Sequence, residues 1–487
     1  MRRLMLSAFK NTTDAKIIIA PLPEKVVLPL QQRIGAEANP CVAVGDKVLT
    51  GQIIAQTQDQ FCTPIHASIS GTVVAINAQT IAHNSGLKPK CISIKSDGKD
   101  EWIKSTIISD FQRCSPAVLI KHIQQSGIIG LGGAGFPTHT KLTKAADCHT
   151  LIINATECEP GIMCDDALIR RNPRETLTGV EILLHISGAD QAIIAIEDDK
   201  QQAYQALFEL NKNHNINIVQ IPTKYTSGAE KLLIKSLLNI EIPIDKYAVE
   251  YGIICQNVAT AKAVFDAVIE GRPLVSRIVT VTGECVTPSN FEVRLGASFA
   301  HIVNLAQPQN QPLAVRMGGM MMGVDTKTLE LPICKITNCI FVNNIKAKPV
   351  VQECIRCGQC NQVCPVGLLP QQLYWYAKNS DTQKATSYNL SSCIECRCCD
   401  VVCPSHIPLA QYFTFAKKLH QQTEREQAMV ERSRERFEYR EYRLQRNKTE
   451  RAEMMEKKRT ELKQKMSGNK TQKAKIAAAI TRVKNKK

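Results

Sequence analysis

Eight cysteines between residues 354 and 403 have the spacing of ligands for a metal cluster. They form two copies of the pattern C-x2-C-x2-C-x3-C-P, and the cysteines are Cys354, Cys357, Cys360, Cys364, Cys393, Cys396, Cys399 and Cys403. Thiolates at i, i+3 and i+6 can wrap a tight turn around one corner of a cubane and bind three of its irons. The alternative is zinc, but zinc sites use pairs of cysteines closed by four ligands. The doubled pattern therefore indicates iron–sulfur clusters, and with them electron transfer.

The doubled pattern resembles that of two-cluster bacterial ferredoxins. The resemblance implies two 4Fe-4S clusters whose ligands cross between the two copies. The implied ligand sets are Cys354, Cys357, Cys360 and Cys403 for the first cluster, and Cys364, Cys393, Cys396 and Cys399 for the second. A ninth cysteine, Cys398, adjoins Cys399, and its spacing fits neither copy.

A glycine-rich stretch is the second chemical signal. The pattern G-x-G-x-x-G at residues 130–135, with Glu157 about 20 residues further on, matches the dinucleotide-binding fingerprint. That fingerprint should follow a strand and open a helix. Here residues 116–125 are predicted to form a helix, and Pro137 interrupts the segment after the glycines. Taken alone, the pattern leaves a plain packing loop as an open alternative.

The longer string around these glycines resembles the flavin-binding loop of the NADH-oxidising subunit of respiratory complex I. Two further phrases, at residues 154–161 and 257–260, resemble segments of the same subunit, although Thr156 stands where that family has an aspartate. The resemblance implies a noncovalent FMN and NADH as the substrate. The implied FMN contacts are Gly130, Gly132, Gly133, Lys141, Asn154, Glu157 and Asn257. Glu159 is the position at which that family touches the nicotinamide.

The elements that must position these residues indicate a multidomain α/β and α+β protein in five segments. Residues 1–112 resemble the barrel-sandwich hybrid of lipoyl domains, but they lack the acceptor lysine on the hairpin. Residues 113–272 alternate helices and strands as in a Rossmann-like flavin domain. Residues 273–345 resemble the small β-grasp module called SLBB. Residues 346–420 hold the cysteine patterns, and residues 421–487 form a basic charged tail.

Several strands and helices are predicted from hydrophobic periodicity and turn residues. Short strands are predicted in the first segment, at 26–28, 52–55 and 71–76. The second segment is predicted to form a largely parallel sheet, with strands at 150–154, 191–196 and 216–221 and helices at 116–125, 200–210 and 229–238.

Charge and composition limit the classes of binding partner that the chain is expected to have. The net charge of the 487 residues is +16, and residues 424–487, with 21 basic and 10 acidic side chains, contribute +11 of it. This tail is expected to be a solvated helix, a disordered arm, or a basic arm attracted to an anionic membrane surface. Aromatic residues make up only 5% of the chain, which argues against nucleic-acid binding. No apolar run approaches the roughly 18 residues of a membrane-spanning helix, so we expect a cytoplasmic chain that does not span the membrane.

The order of the segments resembles the C-subunit family of Rnf (also called Rsx) ion-translocating electron transport complexes, over residues 1 to about 420. The resemblance implies a translocase-type oxidoreductase subunit that is peripheral on the cytoplasmic side of the inner membrane. Its partners would be other subunits of the membrane complex, among them a ferredoxin-like iron–sulfur subunit. No catalytic side chain is implied, because the flavin would accept the hydride. The alternative is a non-catalytic iron–sulfur relay or adaptor without an NADH or FMN site.

Overall fold

The structure is a computed structural model, and it describes residues 16–31, 36–57, 59, 61–82, 88–145, 147–285, 287–309, 313–326, 328–344 and 349–485. The chain forms two compact units. The first consists of Met1–Trp375 and Thr386–Phe413, and the second of Tyr376–Ala385 and Thr414–Lys487. All the candidate ligands and cofactor contacts named above lie in the first unit.

The first segment is built of short antiparallel strands. The strands are β1 (Ile17–Ile19), β2 (Lys25–Pro29), β3 (Asn39–Pro40), β4 (Lys47–Val48), β5 (Ile53–Gln56), β6 (Ile65–His66), β7 (Gly71–Ala78) and β8 (Lys90–Ser96). One sheet has the order β2-β8-β7-β4 and another β3-β5-β6. The three strands predicted here coincide with β2, β5 and β7. Side chains such as Val26, Ile54 and Ile94 fill the space that these strands enclose.

The second segment alternates helices with strands, as its periodicity predicts. The helices are α1 (Pro116–Gln125), α2 (Thr138–Thr143), α3 (Cys164–Arg171), α4 (Pro173–Ser187), α5 (Gln201–Leu210), α6 (Glu230–Leu238) and α7 (Val258–Val268). The strands are β9 (Thr150–Ala155), β10 (Gln191–Glu197), β11 (Ile216–Ile221) and β12 (Ile253–Asn257). They form a parallel sheet in the order β11-β10-β9-β12. The central strands are apolar and buried along most of their length, as expected for a parallel sheet covered on both faces.

The order in which strands are added to the parallel sheet reverses at β9, and such a reversal marks a position at which ligands bind. From β9 the chain adds β10 and then β11 on one side, and it later adds β12 on the other side of β9. In open α/β sheets the crevice at such a switch point, outside the carboxyl ends of the strands, is where ligands bind. Here the crevice lies between the ends of β9 and β12, and their register places Asn154 beside Asn257.

A mixed sheet of six strands comes next in the chain. Its later elements are β13 (Ser276–Gly283), β14 (Ser289–Arg294), α8 (Phe299–Leu305), β15 (Leu313–Met317), β16 (Val324–Thr326) and β17 (Cys339–Asn344). The strand order is β1-β14-β13-β17-β15-β16, so β1, from the predicted first segment, completes this sheet by pairing in parallel with β14. One hydrophobic cluster, which includes Val26, Leu119 and Val279, runs through the first three segments. The SLBB assignment stays a prediction.

The cysteine-containing segment is helical. Its elements are α9 (Gln359–Val363), α10 (Pro370–Lys378), α11 (Thr382–Ser387), α12 (Cys398–Val401) and α13 (Leu409–Lys484). In the structure the tail is a helix, which is one of the alternatives expected from the sequence. Residues 424–485 are exposed throughout. Pairs of opposite charge one turn apart, such as Arg434 with Glu438, stabilise such a solvated helix slightly. None of the helices in the described part of the chain is both long and apolar enough to cross a membrane.

Candidate flavin and iron–sulfur sites

The glycine loop, residues 127–137, joins α1 to α2 and closes on itself. The amide of Gly130 donates to the carbonyl of Phe136 at 2.7 Å, and the amide of Gly135 donates back to the carbonyl of Gly130 at 3.2 Å. Gly133 has a φ of +100°, and a Cβ there would meet no atom within 4 Å. The loop thus offers open space beside a backbone that only glycine adopts readily. A flat ring or a phosphate group could approach the chain closely at this position.

The amino end of α7 lies against the glycine loop. The amide of Leu131 donates to the Thr260 hydroxyl at 3.0 Å. A Cβ on Gly132 would stand 3.3 Å from the Cβ of Asn257, which caps α7 by accepting from the amide of Ala259. The positive end of the helix dipole therefore points to the region of the glycine loop, and such an end favours a phosphate group.

The two predicted asparagines lie side by side at the switch point. The Asn154 side-chain amide donates to the carbonyl of Gly228 at 2.8 Å, and its oxygen accepts from the backbone and hydroxyl of Thr156. The side-chain amide of Asn257 donates to a carboxylate oxygen of Asp165 at 2.6 Å. The structure thus brings together residues that stand 103 positions apart in the sequence, and it uses their amides to hold the neighbouring loops.

Glu157 has a structural task in this arrangement. Its two carboxylate oxygens accept from the backbone amides of Asp165 and Asp166, at 2.7 and 2.9 Å, so that it caps the amino end of α3. Burial, together with the nearby carboxylate of Asp165, raises the pKa of Glu157 to about 8. Burial also raises the pKa of Asp165. The predicted FMN contact is therefore already engaged with the protein backbone, and it positions the segment that carries Asp165 toward Asn257.

In Glu157→Gln, the free energy of unfolding is expected to fall less steeply with rising pH than in the wild type. The pKa of Glu157 is raised from 4.5 to about 8 in the folded protein, so the folded state keeps a proton that the unfolded chain releases in this window. The stabilisation is fully present below about pH 4.5 and is lost as the pH rises through about 8. The free energy of unfolding of the wild type should fall more steeply than that of the variant, by up to about 1.4 kcal/mol per pH unit.

Thermal unfolding monitored by circular dichroism, at pH values from about 6 to 9, measures this difference. Glu209→Gln, on the exposed face of α5, is the matched control and should keep the pH dependence of the wild type. Parallel pH profiles for wild type and Glu157→Gln would contradict the prediction.

Lys141 also contacts the protein. Its ammonium group donates to the carbonyl of Cys255 at 2.6 Å and forms an ion pair with Glu230 at 3.1 Å. The first contact fixes α2 to β12, the strand that ends at Asn257 beside the switch-point crevice.

Glu159 lies against a turn that the sequence analysis did not single out. One of its carboxylate oxygens accepts from the amides of Met321 and Met322, both at 2.7 Å. A Cβ on Gly319 would come within 2.5 Å of the Glu159 carboxylate carbon, so this contact needs a glycine. The run Gly-Gly-Met-Met-Met-Gly at 318–323 was a signal available in the sequence. We call residues 318–323 the methionine turn.

Two buried basic side chains, one on β13 and one in the segment before β17, hold the glycine loop. The guanidinium of Arg277, on β13, donates to the carbonyl of Leu131 at 2.6 Å. The ammonium of Lys335 donates to the carbonyl of Gly127 at 2.7 Å, and burial lowers its pKa to about 7. Both side chains are at most 6% exposed. Single basic residues in apolar surroundings carry no motif, so sequence analysis had no means of finding them.

The cysteines form two turns of the same shape. We call Cys354–Cys360 the first cysteine turn and Cys393–Cys399 the second cysteine turn. In each turn the third and the fifth residue have left-handed backbone. These residues are Arg356 and Gly358 in the first turn, and Glu395 and Arg397 in the second. Left-handed backbone costs a side-chain-bearing residue about 1–2 kcal/mol. Left-handed backbone recurs at the same positions of both turns, as expected if each turn wraps around a cluster.

The fourth cysteine of each copy lies near the turn of the other copy. The charge of Cys396 contributes to a raised pKa of Cys364, although burial is the main cause. Just after Cys403, the hydroxyl of Ser405 donates to the carbonyl of Glu353 at 2.8 Å, immediately before the first cysteine turn. The charges acting on Cys360 are instead those of its own turn. The segment after Cys403 therefore lies beside the start of the first cysteine turn.

Cys398 lies beside the ligand candidates. Its thiol hydrogen-bonds with that of Cys396, and the pKa of Cys398 is lowered by this contact. No two of the 20 cysteines are joined in a disulfide. None of the nine thiols of the segment is therefore in a disulfide, and two turns of the same backbone shape, each with three candidate ligands, fit iron–sulfur clusters.

Three stretches of the chain match described families. Residues 4–99 match the RnfC barrel sandwich hybrid domain, residues 123–266 the Nuo51 FMN-binding domain, and residues 353–407 the 4Fe-4S dicluster domain. The matches support FMN and iron–sulfur clusters as cofactors. Fold and site together define a protein in which a flavin-type α/β domain and a cluster-type domain lie in one chain.

The chain is also similar to curated proteins named as the C subunit of an ion-translocating oxidoreductase complex. It is 43% identical to that of Serratia proteamaculans (strain 568) over 379 residues, 76% of this chain and 54% of the relative. It is 44% identical to that of Edwardsiella ictaluri (strain 93-146) over 378 residues, 76% of this chain and 47% of the relative. The chain spans about half the length of these relatives.

Among solved structures, a chain of the NAD+-reducing NiFe hydrogenase in the H2-reduced state aligns with a TM-score of 0.46. It is 19% identical and covers 64% of this chain and 62% of that chain. Likeness at this level bears on no functional argument.

Proposed function

We propose that this chain is the peripheral electron-transfer subunit of a membrane complex that couples electron flow from NADH to ion translocation. The observation that carries the proposal is the switch-point crevice between β9 and β12, where the glycine loop, Asn154 and Asn257 meet within the same compact unit as the two cysteine turns. FMN, when bound, supplies the exchange between two-electron and one-electron chemistry that joins a nicotinamide nucleotide to iron–sulfur clusters. The match to an FMN-binding family disfavours the non-catalytic relay.

The residues of the crevice would divide the work of holding FMN. The glycine loop leaves open space at Gly133, and the amino end of α7 favours the phosphate. The asparagines Asn154 and Asn257 border the crevice with polar atoms. Glu157 and Lys141 act through the backbone segments that they fix. The donor set and the open space fit a flavin phosphate.

The cysteines would bind two 4Fe-4S clusters with crossed ligands. The proposed sets are Cys354, Cys357, Cys360 and Cys403 for the first cluster, and Cys364, Cys393, Cys396 and Cys399 for the second. The nearness of Cys364 to Cys396, and the hydrogen bond from Ser405 to Glu353, support this assignment. Cys398 would stay outside both sets.

The proposed setting is the cytoplasmic side of an inner membrane, and none of the helices in the described residues could span that membrane. The curated relatives carry the name of a complex subunit, so partner subunits are part of the proposal, a ferredoxin-like iron–sulfur subunit among them. The helix α13 carries most of the net positive charge of the chain and would suit contact with anionic lipid or an acidic partner.

Anaerobic purification and then titration with NADH tests the proposed function. We expect about eight irons and one FMN per chain, and NADH should bleach the visible absorbance of both cofactors. Bleaching by dithionite but not by NADH would contradict the proposal and favour a relay without an NADH site.

Glu159→Gln sharpens this test. Because one oxygen of Glu159 accepts both amides of the methionine turn, glutamine can keep these bonds while removing the charge. We expect KM for NADH to rise about tenfold, a loss of about 1.4 kcal/mol in binding, with FMN and iron content unchanged. Glu209→Gln is the matched control. An unchanged KM would remove Glu159 from the NADH site.

A further inference from the structure

The two cysteine turns share a backbone shape but differ in exposure. In the first cysteine turn, Ile355 is 68% exposed and Cys357 is exposed. At the matched positions of the second cysteine turn, Ile394 is partly buried and Cys396 is only 8% exposed. The second turn is therefore the one that other parts of the first unit cover.

Tyr225 makes the most direct contact with the second cysteine turn. Its hydroxyl donates to the backbone carbonyl of Cys396 at 2.7 Å, although the two residues are 171 positions apart. Burial raises the pKa of Tyr225, so the hydroxyl keeps the proton that it donates. The phenol thus joins the α/β segment to a candidate cluster ligand through one hydrogen bond.

The loop that carries Tyr225 also borders the switch-point crevice. We call residues 224–229 the tyrosine loop. Its Gly228 carbonyl accepts the side-chain amide of Asn154 at 2.8 Å, and Thr226 holds a φ of +82° that few residues with a side chain adopt. A Cβ on Gly228 would stand 2.5 Å from the Thr156 hydroxyl oxygen, so the tyrosine loop is packed closely on the end of β9. One short loop therefore touches both the predicted flavin site and the second cysteine turn.

A second link runs in the same direction. The charge of Arg397, in the second cysteine turn, acts favourably on the carboxylate of Glu159. Glu159 in turn is fixed by the methionine turn. Arg397 therefore places a positive charge near Glu159, while the Tyr225 hydrogen bond is the direct contact between the second cysteine turn and the tyrosine loop.

Building on the proposed function, we propose that Tyr225 is a positioning residue that fastens the second cysteine turn to the loop bordering the flavin site. The cluster held by Cys393, Cys396 and Cys399 is then the inner cluster of the chain. The cluster on the exposed first cysteine turn is the outer one. Hydrogen bonding and solvent exposure around the ligands are the means by which a protein sets a cluster potential, so the Tyr225 hydroxyl should leave a mark on one cluster only.

Tyr225→Phe in the full-length, cofactor-loaded protein tests the proposal by a redox titration monitored by electron paramagnetic resonance. The two cluster signals are first assigned with Cys357→Ser and Cys396→Ser. The O–H dipole points its positive end at the second cysteine turn, and its removal should disfavour the added negative charge of the reduced cluster. We expect the signal that Cys396→Ser affects to shift to a more negative midpoint potential, with the other signal, the iron content and the FMN content unchanged.

Tyr204→Phe, which removes a hydroxyl from the ring stacked on Phe208 in α5, is the matched control and should change neither signal. Gly228→Val should shift the same signal as Tyr225→Phe, because the added side chain displaces the tyrosine loop. Two unchanged signals in Tyr225→Phe, a shift of the other signal, or loss of iron would overturn the proposal. If Tyr225→Phe shifted the midpoint potential as expected but NADH did not reduce the wild type, the positioning role of Tyr225 would stand and the proposed function would be overturned. A wild type that contained no iron would overturn both.

Discussion

Cys364→Ala is expected to perturb the same iron–sulfur cluster as Cys396→Ala, although Cys364 comes after the first cysteine turn. The physical reason is the course of the chain, because α9 ends at Val363 and the turn at Pro365 leads away from the first cysteine turn. In the structure Cys364 lies close enough to Cys396 for the two thiols to interact electrostatically. Each single variant should lose one signal and about four of about eight irons, and the double variant should lose little more.

The reciprocal variant makes the test two-sided. Cys403→Ala should remove the signal that Cys357→Ala removes, because Ser405 and Glu353 join the region after Cys403 to the start of the first cysteine turn. Electron paramagnetic resonance of the reduced proteins, together with iron and sulfide analysis, measures the grouping.

Cys398→Ser is the control within the same turn. Its spacing fits no corner of the cubane, so both clusters should stay at full occupancy even though its thiol contacts that of Cys396. If Cys364→Ala and Cys357→Ala removed the same signal, the crossed assignment would have to be withdrawn.

Gly133→Val is expected to abolish retention of FMN while leaving both clusters in place. Valine at a φ of +100° is strained by about 1–3 kcal/mol, and its side chain would enter the open space beside the glycine loop. The glycine loop is far in sequence from the cysteine turns, and no candidate ligand lies on it. We expect FMN content to fall about tenfold or more, which corresponds to about 1.4 kcal/mol or more. Fluorescence of released flavin and iron analysis of the same sample measure the two outcomes.

Gly188→Val is the matched control, because Gly188 ends α4 with a φ of +65° and its Cβ would also meet no atom within 4 Å. It carries a similar strain in the same segment, away from the crevice, and should keep its flavin. Normal flavin content in Gly133→Val would refute the proposed site. Loss of iron together with flavin would mean that the chain had unfolded, and Gly133→Ala, with a smaller side chain, then decides between the two.

The sequence alone predicted the features that depend on neighbouring residues. The predictions agree with the structure for the strands at 150–154 and 216–221 and for the helix at 116–125. The signal for each is the pattern of apolar and turn residues, which extends over only a few positions in the chain. The spacing of the cysteines is local in the same sense. Three thiols within seven residues define a turn whatever the rest of the chain does.

The roles of individual polar side chains depended on contacts that the sequence does not contain. Glu157 is implied by resemblance to be a flavin contact, yet in the structure its carboxylate caps α3. Glu159, in the loop after β9, reaches the methionine turn between β15 and β16, more than 150 residues further along the chain. In both cases the partner is a backbone amide, and backbone amides carry no sequence signal.

The sequence by itself thus determined which residues could bind a cluster or a phosphate, and in which kind of element they stand. Only the tertiary structure decided which of them meet. The addition of β12 beside β9 places Asn257 next to Asn154, and the tyrosine loop brings a residue of the α/β segment to Cys396. The reason is physical: turns and helices are set by interactions between neighbours in the chain, whereas strand order and buried hydrogen bonds are set by how the whole core packs.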